Sequence, residues 1–223
     1  MSGAGAVMGR ADACVLCGAA AGGTAAGTDG LRICPVCDLA WSVLEDPKDP
    51  AGEWDRDYYG DPAILELHRG RRSGMEVLAD RLSRGAGAPG RLLDVGAGVG
   101  VLMKAAADRG WETEGVEPSA TAAEWARRLT GAPIHVGFLE QLNLSPGRYD
   151  AITVVDTLRH VPDPARFLAE ARRLLRPGGL IMIREIHRRT NDAYHRFSVR
   201  RVTRRREPRR VAFEYGQRFS PGA

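Results

Sequence analysis

The chain has 223 residues, 43% of them hydrophobic and only 6% aromatic, with a formal charge of +4. That length fits one α/β domain of ordinary size plus a small appendage. No run approaches the roughly 18 to 20 apolar residues of a membrane-spanning helix, which argues against a helical membrane protein. The charge is uneven. Between Arg184 and Arg218 twelve arginines face four acids, a window of +8, so the remainder sums to −4. Such a basic tail suits nucleic acid, anionic substrates or an acidic protein surface, or is simply a solvated face.

Residues 1–13 read as a flexible Gly/Ala leader without the apolar core of a signal peptide, and the expected location is cytoplasmic. All four cysteines follow as Cys14-x2-Cys17 and Cys34-x2-Cys37, with sixteen residues between the pairs. Two such knuckles supply the tetrahedral S4 set that zinc prefers, and four protein sulfurs leave no open position, so the ion is expected to be structural. A reducing compartment argues against disulfides. The Ala/Gly/Thr-rich stretch between the pairs cannot form a core, so the metal would hold the 14–45 module together. Its only basic residue between Cys14 and Cys37 is Arg32, which speaks against nucleic-acid binding there.

Residues 46–90 read as a linker and helical cap. Asp46-Pro47-Lys48-Asp49-Pro50 is rigid and polar. Ile64 to Leu82 has the apolar spacing of one or two helices broken near Gly70 to Gly74. Tyr58, Tyr59, His68 and Arg72 are candidates to cap a ligand pocket and grip a carboxylate, with packing or surface solvation as the alternative for each.

Arg91 to Val95 is a predicted buried parallel strand running into Gly96-Ala97-Gly98-Val99-Gly100, with a helix over Val99 to Arg109. The glycines allow a tight turn whose backbone approaches a ligand, at the strand ends where α/β sheets bind ligands. The spacing is not the G-x-G-x-x-G of a pyrophosphate site. A second strand, Trp111 to Val116, ends at Glu117, whose carboxylate can accept both ribose hydroxyls of a nucleoside. Ser119 is the expected N-cap of a helix to Leu129, with Ala122, Ala126 and Leu129 as its apolar stripe.

Ile134 to Val136 is a short strand, and the loop Gly137 to Glu140 follows at the same sheet edge. There an apolar side chain can lie on an adenine face, and Glu140 can receive a nitrogen-bound hydrogen. Tyr149 to Val155 is the clearest buried strand: short, apolar and β-branched. After it comes Asp156-Thr157-Leu158-Arg159-His160, in which His160 is the proton-transfer candidate because imidazole exchanges a proton near neutral pH; bracing the loop is the alternative. A helix over Ala165 to Leu175, a turn at Arg176 to Gly179 and a strand over Leu180 to Arg184 complete the alternation.

Together these features resemble the class I S-adenosylmethionine-dependent methyltransferases, and more narrowly the bacterial members with a four-cysteine zinc ribbon in front. The resemblance covers about Cys14 to Ile186. It is carried by Leu92-Leu93-Asp94-Val95-Gly96-Ala97-Gly98-Val99-Gly100, Gly115-Val116-Glu117-Pro118-Ser119, Tyr149-Asp150, Leu158-x-His160-Val161-Pro162-Asp163-Pro164 and Leu175-Arg176-Pro177-Gly178-Gly179-Leu180. It implies a Rossmann-like sheet over 91–223. Asp94 with Gly96, Gly98 and Gly100 would hold the methionine end of the cofactor, Glu117 the ribose, and Phe138, Leu139 and Glu140 the adenine edge. Asp156 and Thr157 would line the wall near the sulfonium. The implied reaction is methyl transfer to an O, N or C nucleophile of a small molecule, with a specialised metabolite as the expected acceptor.

Two departures stand out. Arg159 replaces the acidic residue that commonly precedes the loop histidine, which bears on the role of His160 or draws an anionic acceptor. Arg184-Glu185-Ile186-His187 stands where the family often has a small residue or proline, so Glu185 and His187 join His160 as catalytic candidates. Only 37 residues follow Ile186, with Phe197 to Thr203 and Val211 to Tyr215 as expected strands of a shortened pair. The acceptor lid is then either short or completed by a second subunit, and the second option gives a homodimer. The rival readings are an RNA or ribosome methyltransferase using the tail, and a non-catalytic cofactor-binding scaffold. Glycine spacing disfavours a dehydrogenase.

Overall fold

The computed structural model describes residues 13, 14, 18–20, 31–36, 40–42, 59, 61, 64, 68, 70, 72–161 and 163–185. The chain divides into two compact units: Pro47–Thr157 with Arg166–Arg184, and Met1–Asp46 with Leu158–Ala165 and Glu185–Ala223. Tyr58, Cys17, Cys37, His187 and both expected C-terminal strands lie outside the described residues.

The larger unit is built on a parallel sheet. Short antiparallel strands β1 (Leu31–Ile33) and β2 (Ala40–Ser42) belong to the other unit, and the main elements then follow in order. They are α1 (Arg72–Ala86), β3 (Arg91–Val95), α2 (Val101–Ala107), β4 (Glu112–Glu117), α3 (Ala120–Thr130), β5 (Ile134–Val136), β6 (Tyr149–Val155), α4 (Pro164–Leu174) and β7 (Leu175–Arg184). Strand order is β5-β4-β3-β6-β7, every pairing parallel. Strands buried on both faces need apolar residues at successive positions, and β3 meets this with only Arg91 exposed.

One side of the core unites Leu82 of α1, Leu92, Ala106, Trp111 and Ala151, with Leu180 and Met182 beside them. A neighbouring cluster joins Leu78 and Ala79 to Leu102 and Ala105. Helix α1 runs from Arg72 through Gly74 to Ala86, so no break falls at Gly74. Leu78, Ala79 and Leu82 anchor one face, and tertiary burial outweighs the roughly 1 kcal/mol that a helical glycine costs.

Helix α3 begins as expected. The Ser119 Oγ accepts the Ala122 N–H at 3.0 Å, and Gly131 ends the helix in the left-handed region at φ 69°. Its buried stripe is Ala122, Ala123 and Ala126, whereas Leu129 is 43% exposed. Small residues are required because a Cβ on Gly100 would stand 3.0 Å from the Ala126 Cα. The expected Arg176–Gly179 turn is kept as an irregularity inside β7, whose pairing jumps from Tyr149↔Leu175 to Ala151↔Leu180 with Gly178 at φ 76°.

A charged cluster sits inside this unit. Glu114, buried in β4, accepts from the Tyr149 hydroxyl at 2.9 Å and from Arg148, with His135 Nε2 at 3.3 Å. Burial pushes the Glu114 carboxyl up, but the Tyr149 and His135 hydrogen bonds and the Arg148 charge outweigh it and hold it below its ordinary value. Burial and the Glu114 bond in turn raise the Tyr149 phenol. Tyr149→Phe removes one donor from a buried carboxylate and is expected to cost about 1.5–3 kcal/mol in urea unfolding at pH 7. An unchanged midpoint would show that the cluster is not coupled to stability.

Candidate functional site

Strands β4 and β5 extend the sheet to one side of β3, and β6 and β7 extend it to the other. The strand order thus reverses between β3 and β6, a switch point of the kind beyond whose strand carboxyl ends α/β sheets bind ligands. Asp94 lies at the end of β3 and Glu117 at the end of β4, both buried, while Asp156 and Thr157 follow β6.

The glycine turn is fully engaged by its own protein. The N–H groups of Gly96 and Ala97 donate to the Val116 carbonyl at 2.8 and 3.0 Å, and that of Gly100 to the Ala97 carbonyl at 2.9 Å. The Gly98 N–H donates to Glu117 Oε2 at 2.8 Å. A pyrophosphate site needs converging N–H donors, and these four point elsewhere. The turn instead presents carboxylates and backbone oxygens, which receive donors such as ammonium and hydroxyl groups.

Each of the three glycines has a specific neighbour. At Gly96, φ 76°, a Cβ would fall 2.0 Å from Thr157 Oγ1, so Thr157 is seated against the turn. At Gly98, φ 53°, a Cβ would stand 3.0 Å from the Tyr59 hydroxyl. Tyr59 is buried on Val99 and Ala122, with the His68 ring centroid 5.8 Å away. Tyr59, expected beside the acceptor, is therefore set at the glycine turn. Gly100 packs on α3 instead. Arg72 is spent on a surface ion pair with Glu76 at 3.0 Å.

Glu117 is held from two sides, since the Ser119 N–H donates to Oε1 at 2.9 Å. These donors take two of the roughly four acceptor directions of a carboxylate. The Gly137 N–H donates to the Glu117 backbone carbonyl at 3.1 Å and so ties the following loop to the same strand end. In that loop Leu139 is a core residue, 2% exposed, whereas Phe138 and Glu140 are half-buried.

Asp94 accepts the Thr153 hydroxyl at 2.6 Å. Burial pushes its carboxyl up to about 6, with the Thr153 bond pulling the other way. Asp156 carries φ 54°, unusual for a residue with a side chain. Its N–H donates to the Arg184 carbonyl at 2.9 Å, and Arg184 Nη1 reaches its Oδ2 at 3.1 Å. Thr153 is the contributor that sequence reasoning missed: it lies in the recognised Tyr149–Val155 strand, but only strand pairing, Asp94↔Thr153, identifies it as the partner.

In the smaller unit His160 is exposed at the end of a single 3₁₀ turn, Leu158–His160, which also carries Arg159. Glu185 Oε1 accepts the Leu158 N–H at 2.5 Å. Cys14 and Cys34 are both buried. The Cys14 carbonyl accepts the Gly18 N–H at 2.9 Å, closing a tight turn, and the Val36 N–H points at Cys34 Sγ at 3.4 Å. A buried cysteine sulfur that receives a backbone N–H, as at Cys34, is a chemistry that fits a soft tetrahedral ion. Among the described residues, which include only these two cysteines, no group of three or more metal-binding side chains occurs.

Comparison with known proteins agrees with this geometry. A family described as a methyltransferase domain matches residues 67–220. A ubiquinone biosynthesis O-methyltransferase of Alkalilimnicola ehrlichii is 36% identical over 104 residues, 44% of this chain and 42% of that protein. Its counterpart in Methylococcus capsulatus is 35% identical over 104 residues, 44% of each chain. The aligned chain thus spans about half or less of the length of these curated relatives. Among solved structures, a SAM-dependent methyltransferase of Thermotoga maritima superposes with TM-score 0.51 at 25% identity, covering 67% of this chain and 69% of that one. The chain belongs to the methyltransferase-domain family, and its five-stranded sheet is the Rossmann-like α/β sheet of the class I S-adenosylmethionine-dependent methyltransferases.

Proposed function

We propose that the protein transfers the methyl group of S-adenosylmethionine to a small-molecule nucleophile. The observation that carries this reading is the set of carboxylates at the switch point, Asp94 and Glu117, beside a turn whose N–H groups are already committed. Such a site favours a ligand with an ammonium end and a diol, and a nucleoside amino acid has both. Glu117 receives the ribose hydroxyls, Asp94 with the turn at Gly96 and Gly98 receives the amino-acid end, and Phe138 and Glu140 border the adenine. Thr157 and Asp156 flank the reacting carbon.

The bound cofactor supplies an already activated methyl group, so the protein's main tasks are to align the acceptor and exclude water. His160 takes the acceptor proton where the nucleophile is a hydroxyl, and Tyr58 and Arg159 serve acceptor binding. The relatives' description as O-methyltransferases favours an oxygen acceptor. The test is calorimetry with S-adenosylhomocysteine, followed by mass spectrometry of a phenol and catechol panel including 3,4-dihydroxybenzoate. A gain of one methyl per acceptor is expected. No heat and no product from folded protein would end the proposal.

Four finer features belong to the same reading: a 14–45 module, a cap over 46–90, a homodimer, and a cytoplasmic setting for a specialised-metabolite acceptor. Among the described residues no helix is long and apolar enough to cross a membrane. Zinc on Cys14, Cys17, Cys34 and Cys37 is supported by the burial of Cys14 and Cys34 and the N–H directed at Cys34. Elemental analysis is expected to give one zinc per chain. Cys14→Ser is expected to release it and unfold the module, because metal binding there supplies the folding energy. Metal-free protein with an unchanged melting profile would remove the ion. The RNA-methyltransferase alternative predicts RNA affinity that falls steeply with salt.

A further inference from the structure

Sequence reasoning made Glu185 a candidate base, but the geometry points to a different task. We propose that Glu185 is a positioning residue that caps the His160 turn through the Leu158 N–H. This rests on the reading that the His160 turn serves methyl transfer.

The turn Leu158–His160 is one 3₁₀ turn, closed by the Val161 N–H donating to the Leu158 carbonyl at 3.1 Å. So short a piece has little stability of its own. Its leading N–H groups also lack acceptors within the turn. Glu185 Oε1 supplies one to Leu158 at 2.5 Å, from 27 positions along the chain. A carboxylate accepting a backbone N–H at the start of a turn makes a charge-assisted bond that complements the turn's positive end. Leu158 is buried while His160 is exposed, so the cap fixes the buried start of the turn and leaves the imidazole outward.

The preceding residue of the chain does a parallel job in the larger unit. Arg184 accepts the Asp156 N–H at its carbonyl and pairs with the Asp156 carboxylate through its guanidinium. Asp156 is thereby held at φ 54°, where side-chain-bearing residues rarely stay. Consecutive residues at the end of β7 thus hold positions 156 and 158, on either side of Thr157. An oxygen fixed on a backbone N–H serves by its lone pair, and an amide oxygen offers the same lone pair without any capacity to take a proton. That difference separates the two roles for Glu185.

The experiment compares Glu185→Gln and Glu185→Ala by amide hydrogen exchange across 158–161 in the full-length protein. Exchange is expected to be about tenfold faster in Glu185→Ala and close to wild type in Glu185→Gln. The kcat on 3,4-dihydroxybenzoate should follow the same order, with S-adenosylhomocysteine affinity unchanged in both. Equal exchange in all three proteins would overturn the proposal. So would a Glu185→Gln protein as impaired as Glu185→Ala, which would restore the base role. Failure of the wild type to bind S-adenosylhomocysteine would instead sink the methyltransferase reading, while the exchange data would still judge the cap.

Discussion

Glu117→Gln is expected to weaken S-adenosylhomocysteine binding by about a hundredfold, roughly 3 kcal/mol. The substitution looks conservative, but both carboxylate oxygens are in use. One accepts the Gly98 N–H at 2.8 Å and the other the Ser119 N–H at 2.9 Å. An amide offers one acceptor and one donor, so whichever way it flips, an NH2 faces an N–H. The glycine turn or the start of α3 must then move. Because both contacts also hold the apo protein together, a stability loss of about 1–3 kcal/mol should accompany the affinity loss. Calorimetry and urea unfolding on the same preparation check the two effects. Native affinity in the variant would remove Glu117 from the binding site.

The second large effect has the opposite sign for stability. Asp94 is 3% exposed and accepts the Thr153 hydroxyl, and burial raises its carboxyl from 3.8 to about 6. A group whose folded pKa lies above its unfolded one contributes stability that is fully present below about pH 3.8. This is lost as pH rises through about 6. Above that range the ionised form destabilises the apo protein by about 3 kcal/mol, an order-of-magnitude figure from the two pKa values. Asp94→Asn keeps the shape and removes the charge.

The Asp94→Asn variant is therefore expected to be more stable than wild type at pH 8, by up to about 3 kcal/mol, and similar to it near pH 4. The same change should weaken cofactor binding at pH 8 by about tenfold or more, because the ammonium end loses its counter-charge. Urea midpoints at the two pH values, with calorimetry at pH 8, give the answer. A variant less stable than wild type at pH 8 would mean that the carboxylate is stabilised by more than Thr153. A binding site that stores destabilisation in its empty state is a common trade between stability and function.

Elements of the fold differ in how openly the sequence displays them. The run from Leu92 to Gly100 announces a strand, a tight turn and a helix, because a strand buried on both faces must be apolar throughout. Only glycine accepts φ 76° at position 96 with Thr157 against it. Ser119 as N-cap and Tyr149–Val155 as a buried strand are equally local decisions, and each stands where the residues put it. By contrast, helix α1 passes through Gly74, where long-range packing overrides a local preference worth about 1 kcal/mol.

The amino-acid sequence by itself determined the alternation of strands and helices, the glycine turn and the carboxylates at positions 94 and 117, because these depend on neighbours within a few residues. Tertiary structure alone decided what those groups do. It set Thr153 on Asp94, 59 residues away, and the Tyr59 hydroxyl at Gly98. It also brought the Glu185 carboxylate to the Leu158 N–H, 27 residues away. Hydrogen bonds and packing contacts of this kind join residues that strand order brings together, and strand order is fixed by burial across the whole sheet, not by any local stretch of chain.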